Sequence, residues 1–192
     1  MSLSVTDICN LALQKVGAAK ITSINDSTPS ARACLTCYEN ERKSLLRRYA
    51  WKFAIKLVQL SADATAPAFG KSASFTLPAD YISILPPHDS ENFDHVDWVV
   101  QGGKIYSNNT DELDLRYIYD VTTTGLMDPL FIEALSARMA LQMVEVLTQS
   151  NVKKADLFVY VKDAIAEAKR ANSFETVNIA SPDTGWFTIR DT

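Results

Sequence analysis

The segment "RRYAWKFAIKLVQL" (residues 47–60) is where the hydrophobic pattern of the chain changes its period. Before this segment apolar residues recur at helical spacing, and after Ala50 they alternate with the residues between them. One row holds Trp51, Phe53, Ile55 and Leu57, and the other holds Lys52, Ala54, Lys56 and Val58. The alternation predicts a half-buried strand whose apolar side is the first row. The segment therefore predicts a junction between a helical and a β part of the chain.

Two helices are predicted on the N-terminal side of this junction. Ser4 and Asp7 have the spacing of a capping box, and Gly17 suits the end of the same helix. Thr28 followed by Pro29 is typical of the start of a second helix.

The second helix has an apolar stripe that is expected to face the core. Its members are Ala31, Cys34, Leu35, Tyr38, Leu45 and Tyr49. Arg42 lies close to the stripe, so we expect its aliphatic stem to pack and its charged head to reach solvent.

Strand patterns dominate the middle of the chain. "SASFTLPADYISIL" predicts two short strands around Pro78, and Gly102-Gly103 predicts the turn of a hairpin. A further strand has Leu113, Leu115, Tyr117 and Tyr119 on one face. We expect one antiparallel sheet, inserted between helices.

Helical spacing returns after Gly125. Asp128 and Pro129 begin a helix with so much apolar surface that it should be buried on more than one side. The last helix is expected to bury Ala155, Phe158, Val161, Ile165 and Ala168. The predicted class is α+β: a bundle of about four helices (residues 1–50 and 125–172), an inserted antiparallel β region (51–124) and an extended C-terminal arm (173–192).

The arm is too apolar for a solvated tail. Its apolar residues are Val177, Ile179, Trp186, Phe187 and Ile189, while Pro182 and Gly185 exclude a helix. Fully extended, it would reach about 60 Å at ~3.3 Å per residue. We expect it either to wrap its own domain or to dock on a partner.

Charge and composition narrow the function classes. The net charge is −4, and no apolar run approaches the ~20 residues of a membrane helix. Without a signal-peptide pattern, an intracellular origin is expected. Residues 38–56 hold six basic and two acidic residues, but the whole chain lacks the basic footprint of a tight DNA-binding protein. A nucleic-acid-binding function would rest on the basic segment 42–56.

Candidate chemical groups are few. Cys34 and Cys37 form a C-x-x-C motif inside a predicted helix, where small buried thiols are expected rather than a redox or metal site. His88 and His95 lie in an acidic segment without metal-ligand spacing. The carboxylates of Asp111, Glu112 and Asp114 allow a cell-wall hydrolase as a third alternative. We predict no catalytic, metal-binding or cofactor-binding residues, and no enzyme.

Five segments taken in order resemble a known family. They are "ICNLALQKVGAAKITSIND", "ARACLTCYENERKSLLRRYAWKFA", "FTLPADYISIL", "WVVQGGKIYSN" and "DPLFIEALSARMALQMVEVLT". Together they are similar to the tail tubular protein A group of head-to-tail adaptors of short-tailed bacteriophages, over residues 5–171.

The resemblance implies a structural virion protein, made in the host cytoplasm and built into the tail at the portal vertex. Such adaptors form a ring, generally of twelve copies, between the portal protein and the tail nozzle protein. The ring lines a channel through which genomic DNA passes without specific binding, and no membrane is involved. The arm, with Val177, Ile179, Trp186, Phe187 and Ile189, would dock on the portal or on a neighbouring subunit.

Overall fold

The computed structural model describes residues 3–85, 98–148 and 150–174, and it has the α+β class that the sequence predicts. Helices occupy both ends of this described part, and the strands lie between them. The helices are α1 (Val5–Val16), α2 (Pro29–Arg48), α3 (Pro129–Thr148) and α4 (Asn151–Phe174), with short 3-10 turns at Lys52–Ala54 and Thr124–Leu126.

Between residues 55 and 119, leaving aside the undescribed residues 86–97, six strands form two small antiparallel sheets rather than the single predicted sheet. They are β1 (Ile55–Leu60), β2 (Ala73–Thr76), β3 (Tyr81–Ile84), β4 (Trp98–Gln101), β5 (Lys104–Ser107) and β6 (Leu113–Tyr119). The first sheet has the order β1-β6-β3 and the second has the order β2-β5-β4. The strands divide into two sheets because β6 pairs with β1 along one edge and with β3 along the other. Strands β2 and β5 therefore pair with each other.

The predicted helix ends are confirmed where local chemistry sets them. The Ser4 hydroxyl accepts a hydrogen bond from the Asp7 N–H (3.1 Å), and the Asp7 carboxylate accepts one from the Ser4 N–H (2.9 Å). Gly17 ends α1 with φ of 79°, a left-handed conformation that favours glycine. Thr28 caps α2 through the Ala31 N–H, 3.2 Å away.

Helix α3 is the centre of the helical body. It packs against each of the other three helices, and ten of its side chains are buried. The prediction that this helix is buried on more than one side is therefore confirmed. Trp51 and Phe131 meet edge to face in the same core, with ring centroids 5.1 Å apart.

A second, smaller core lies between the two sheets. It is built from Phe75 and Leu77, from Ile105, and from Leu113, Leu115 and Tyr117 of β6. The β4–β5 hairpin turns at Gly102 and Gly103, as predicted, and both glycines have positive φ. The predicted inward face of β6 is also confirmed for Leu113, Leu115 and Tyr117.

The junction that begins the β region differs from its prediction. The strand starts at Ile55, because residues 52–54 form a 3-10 turn that breaks the alternation. Trp51 consequently lies in the helical core, where its indole N–H donates to the Leu45 carbonyl (2.8 Å). Leu57, predicted to face inward, is 76% exposed, and Val58 packs on the second core in its place.

Three helical residues that the sequence predicts to face the core lie on the solvent side of their helices. Leu35 in α2 and Ala155 and Phe158 in α4 are exposed. The residues that α4 buries are Leu157, Val161, Ala164, Ile165 and Ala168. Both faces of α4 carry apolar residues, so helical spacing alone did not choose between them.

The segment between β1 and β2 is held by one carboxylate. Asp63 accepts hydrogen bonds from the Lys104 ammonium (2.8 Å) and from the hydroxyls of Ser74 and Thr76 (2.9 Å each). The hydrogen bond from Lys104 is the main reason why the pKa of Asp63 is lowered to about 2.

Candidate assembly surface

The five arm residues singled out in the sequence, Val177, Ile179, Trp186, Phe187 and Ile189, lie outside the described residues. The place from which the arm departs is described. Helix α4 continues to Phe174, so Ser173 and Phe174 belong to the helix. The arm thus begins at residue 175 on a helical body whose geometry is known.

Asn172 attaches this end of α4 to the start of the β region. Its side-chain amide donates to the Ala50 carbonyl (2.9 Å), and its side-chain carbonyl accepts from the Lys52 N–H (2.8 Å). Both partners are backbone groups of the chain between α2 and β1. The last turn of α4 therefore lies directly beside the helix–sheet junction.

Large apolar side chains are exposed at the opposite end of the helical body. Here α3 ends and α4 begins, and Val146 and Val152 are 75% and 74% exposed. Phe158 and Val159 are more than half exposed, one to two turns further along α4. We call Val146, Val152, Phe158 and Val159 the apolar patch. Val152 and Val159, seven positions apart, lie on the same face of α4, and grouped exposed apolar side chains are typical of protein–protein contact sites.

Two open grooves border the end of α3. The first, of about 680 Å³, lies between α2 and α3 and has Ala33, Cys37, Met143 and Val146 among its lining residues. The second, of about 510 Å³, lies between α3 and α4 and includes Leu141 and Phe158. Each groove offers apolar walls with a few polar groups at the rim, which suits side chains of a partner protein.

Ion pairs fix the helices that carry these grooves. Glu133 of α3 accepts from the Lys15 ammonium of α1 (2.7 Å) and from the hydroxyl of Tyr160 in α4. Partial burial raises the pKa of Glu133, but these two hydrogen bonds outweigh it and leave the pKa below its usual value. On the other side of α3, Arg138 reaches Glu41 of α2 at 2.6 Å. The helical body is thus tied across three helix pairs.

The basic segment 42–56 does not form an open cationic row. The buried Arg42 pairs with Asp120 and also donates to the Val121 carbonyl (2.7 Å), so its head does not reach solvent as the sequence predicted. Lys43 binds Glu39 at 2.6 Å, and Lys56 binds Asp80 at 2.6 Å. Three of the six cations in this segment are thus paired with carboxylates within the fold.

Arg47 and Tyr49, in the same segment, also have contacts inside the molecule. The Arg47 guanidinium donates to the Ile82 carbonyl of β3 (2.5 Å). The Tyr49 ring lies under the Lys169 ammonium, 4.3 Å from the ring centroid. The aromatic residues of the segment thus pack within the protein instead of forming a platform for bases.

In the described part of the chain, the remaining candidate groups lie on exposed surface or within helix α2. Asp111, Glu112 and Asp114 are exposed around the start of β6, and Asp114 borders only a shallow depression on β1 and β6. Cys34 is buried, and burial raises the pKa of the Cys37 thiol to about 12, which disfavours the reactive thiolate. His88 and His95 lie outside the described residues. Among the residues that are described, none cluster as metal ligands.

Comparisons with known proteins add no relative. Neither the models of protein families nor the curated proteins give a match to this chain. In the described part of the chain, no helix is long and apolar enough to cross a membrane.

Sequence reasoning missed two parts of this surface. The sequence does not indicate the apolar patch, because helical spacing predicts that Phe158 belongs to the buried stripe of α4. The Asn172 contacts join residues about 120 positions apart, and no local pattern marks them. The surplus of apolar residues on α4, more than one face requires, was the one available signal for the patch.

Proposed function

We propose that this protein is a structural assembly subunit, a head-to-tail adaptor that forms a ring between the portal and the tail nozzle of a short-tailed phage. The observation that carries the proposal is the apolar patch, which borders two open grooves at the end of the helical body remote from the β region. A monomer gains no stability from leaving Val146 and Phe158 in water, whereas a subunit contact buries them.

The arrangement of the domains supports the same function. The resemblance implies a helical ring body and a β region directed toward the tail components. The described helices form one core and the two sheets form a second core on the opposite side of the helix–sheet junction. The acidic net charge of −4 suits a conduit from which DNA must slide free.

Neither alternative function receives comparable support. A nucleic-acid-binding protein would need the cations of segment 42–56 for phosphates, and three of them are paired with Asp120, Glu39 and Asp80. A cell-wall hydrolase would need two carboxylates facing a substrate cleft, and Asp111, Glu112 and Asp114 lie on exposed surface.

The test is electron microscopy of the protein mixed with the portal protein encoded in the same genome. We expect an added ring at the base of the portal with the wild-type chain. The double substitution Val146→Ser and Phe158→Ser should abolish the ring, because it removes the apolar surface buried between subunits.

A matched control is available on the β region. Val99 and Val100 of β4 are 40% and 43% exposed, and their replacement by serine makes a similar chemical change far from the apolar patch. This control should still form the ring on the portal. Absence of a ring with the wild-type chain would refute the adaptor function. Equal assembly by all variants would show that the apolar patch is not part of the subunit contact.

A further inference from the structure

A small pocket lies at the helix–sheet junction, beside the last turn of α4. Its volume is about 210 Å³. Sites for drug-sized molecules have roughly 300–1,000 Å³, so this pocket suits a single side chain. None of its lining residues belongs to the apolar patch; they are Trp51, Phe53, Leu126, Met127, Asp128 and Asn172.

Apolar groups form most of the pocket wall. Trp51 and Met127 are buried beneath it, and Leu126 is 56% exposed. The ring of Phe53 is only partly buried and packs edge to face on Phe131, with centroids 5.0 Å apart. This contact holds the ring in one orientation at the pocket. An aromatic ring of this kind attracts a cation through its quadrupole.

The charged group of the pocket is the half-buried carboxylate of Asp128. Its Oδ1 accepts hydrogen bonds from the N–H groups of Leu130 (2.7 Å) and Phe131 (3.2 Å) at the start of α3. Among the described residues, no lysine or arginine pairs with this carboxylate. The positive end of the α3 dipole, equal to roughly half a unit charge, offsets only part of the negative charge. The pocket therefore favours a cation.

Asn172 adds a second oxygen acceptor. Its side-chain amide donates to the Ala50 carbonyl (2.9 Å), and its side-chain carbonyl accepts from the Lys52 N–H (2.8 Å). These two bonds fix the orientation of the side chain, and a carbonyl oxygen can accept a second hydrogen bond. The pocket thus combines a carboxylate, a fixed amide carbonyl and an aromatic ring.

We propose that this pocket binds the side chain of an arginine presented by a partner protein. The planar guanidinium has five N–H donors, pairs with carboxylates and stacks on aromatic rings, and its aliphatic stem suits the wall at Leu126. A lysine ammonium is a compact, strongly hydrated charge that uses a flat ring less well. Arginine is also one of the residues that most often anchor protein–protein contacts.

This inference does not depend on the adaptor function. It assigns a second contact site to the junction, with a chemistry different from that of the apolar patch. Binding at the apolar patch is driven by burial of aliphatic side chains, whereas binding at the junction requires a positive charge.

Titration of the full-length chain with N-acetylarginine amide tests the proposal. The NMR signals of the Leu126 N–H and the Asn172 side-chain amide report on the pocket. N-acetylnorleucine amide is the matched probe, since it has an unbranched aliphatic side chain without the charge. We expect the arginine probe to shift both signals saturably at millimolar concentration, and the norleucine probe to bind at least about tenfold more weakly.

Three variants separate the contributions. Asp128→Asn keeps a side-chain oxygen to cap α3 and removes only the charge, so it should weaken the arginine probe at least about tenfold. Phe53→Leu keeps an apolar wall without the ring and should weaken it about threefold. Asp111→Asn makes the same change of charge at an exposed position outside the pocket, and should bind as the wild type does.

Three results would each overturn the proposal. They are the absence of a saturable shift with the arginine probe, equal binding of the two probes, and equal binding of the arginine probe by the wild type and Asp128→Asn. The second result would make the pocket an apolar cleft without charge selectivity. Ring assembly on the portal is measured separately, so its failure bears on the adaptor function alone.

Discussion

The guanidinium of Arg42 is a charged group buried where a helix meets a sheet. Only 4% of its side chain is accessible, and it binds the Asp120 carboxylate and the Val121 carbonyl at the end of β6. Its Nε has no partner within the described part of the chain, which makes the remaining contacts more important. This one side chain joins α2 to the end of the sheet.

We expect Asp120→Ala to destabilise the protein by about 2–4 kcal/mol, because it leaves the buried Arg42 charge without a counterion. The measurement is the free energy of unfolding from urea titration. Lys154→Ala is the matched control, since it removes an exposed pair with Glu145, far from Asp120, and should cost about 0.5 kcal/mol or less. Similar values for both variants would contradict the structural role of the buried pair.

At the scale of elements, the helix–sheet junction depends on a short irregular segment. The 3-10 turn at Lys52–Ala54 places Trp51 in the helical core and sets which residues of β1 face the second core. Asn172 accepts from the N–H of Lys52 and binds the carbonyl of Ala50, so the last turn of α4 stabilises this same segment. Two elements far apart in sequence thus support one another.

Asn172→Ala should lower the free energy of unfolding by about 1–2 kcal/mol, because two backbone groups lose their hydrogen-bond partner. It should also increase amide exchange in the last turn of α4 and at Lys52. Ser173→Ala is the neighbouring control, since the Ser173 hydroxyl binds only the Lys169 carbonyl of its own helix. If Ser173→Ala lowered the free energy of unfolding as much as Asn172→Ala, the loss would come from the end of α4 and not from the Asn172 hydrogen bonds to Ala50 and Lys52.

For the whole molecule, the surfaces suited to contacts lie at two ends. The apolar patch and its grooves are at the end of α3, and the last turn of α4, which the arm follows in the sequence, is at the other end beside the helix–sheet junction. A subunit with contact sites at both ends can bind a neighbour and a different partner at the same time. This geometry is what the proposed adaptor requires.

The distal arm should carry part of the binding to the portal. We expect the double substitution Trp186→Ala and Phe187→Ala to weaken cosedimentation with portal rings by at least about tenfold, since buried aromatic residues commonly dominate binding energy. Thr188→Ala, the next residue of the same arm, is the control and should bind as the wild type does. Undiminished binding of the aromatic variant would place the contact elsewhere.

Much of the local structure was predictable because it depends on neighbouring residues. Ser4 with Asp7, Thr28 with Pro29, and Gly102 with Gly103 each form their cap or turn within a few positions, so their chemistry is visible in a short window. The α+β class followed from the change of period after Ala50. The inward face of β6 was equally clear, because Leu113, Leu115 and Tyr117 keep a strict alternation.

Sequence patterns alone predict the α+β class, the order of helices and strands, and the ends that caps and turns set. The exposure of Phe158 beside a buried Leu157, the pairing of Arg42 with Asp120 and the place of β2 in a second sheet come from the fold. Caps and turns depend on bonds between near neighbours, whereas a buried face or an ion pair depends on which remote element packs beside it.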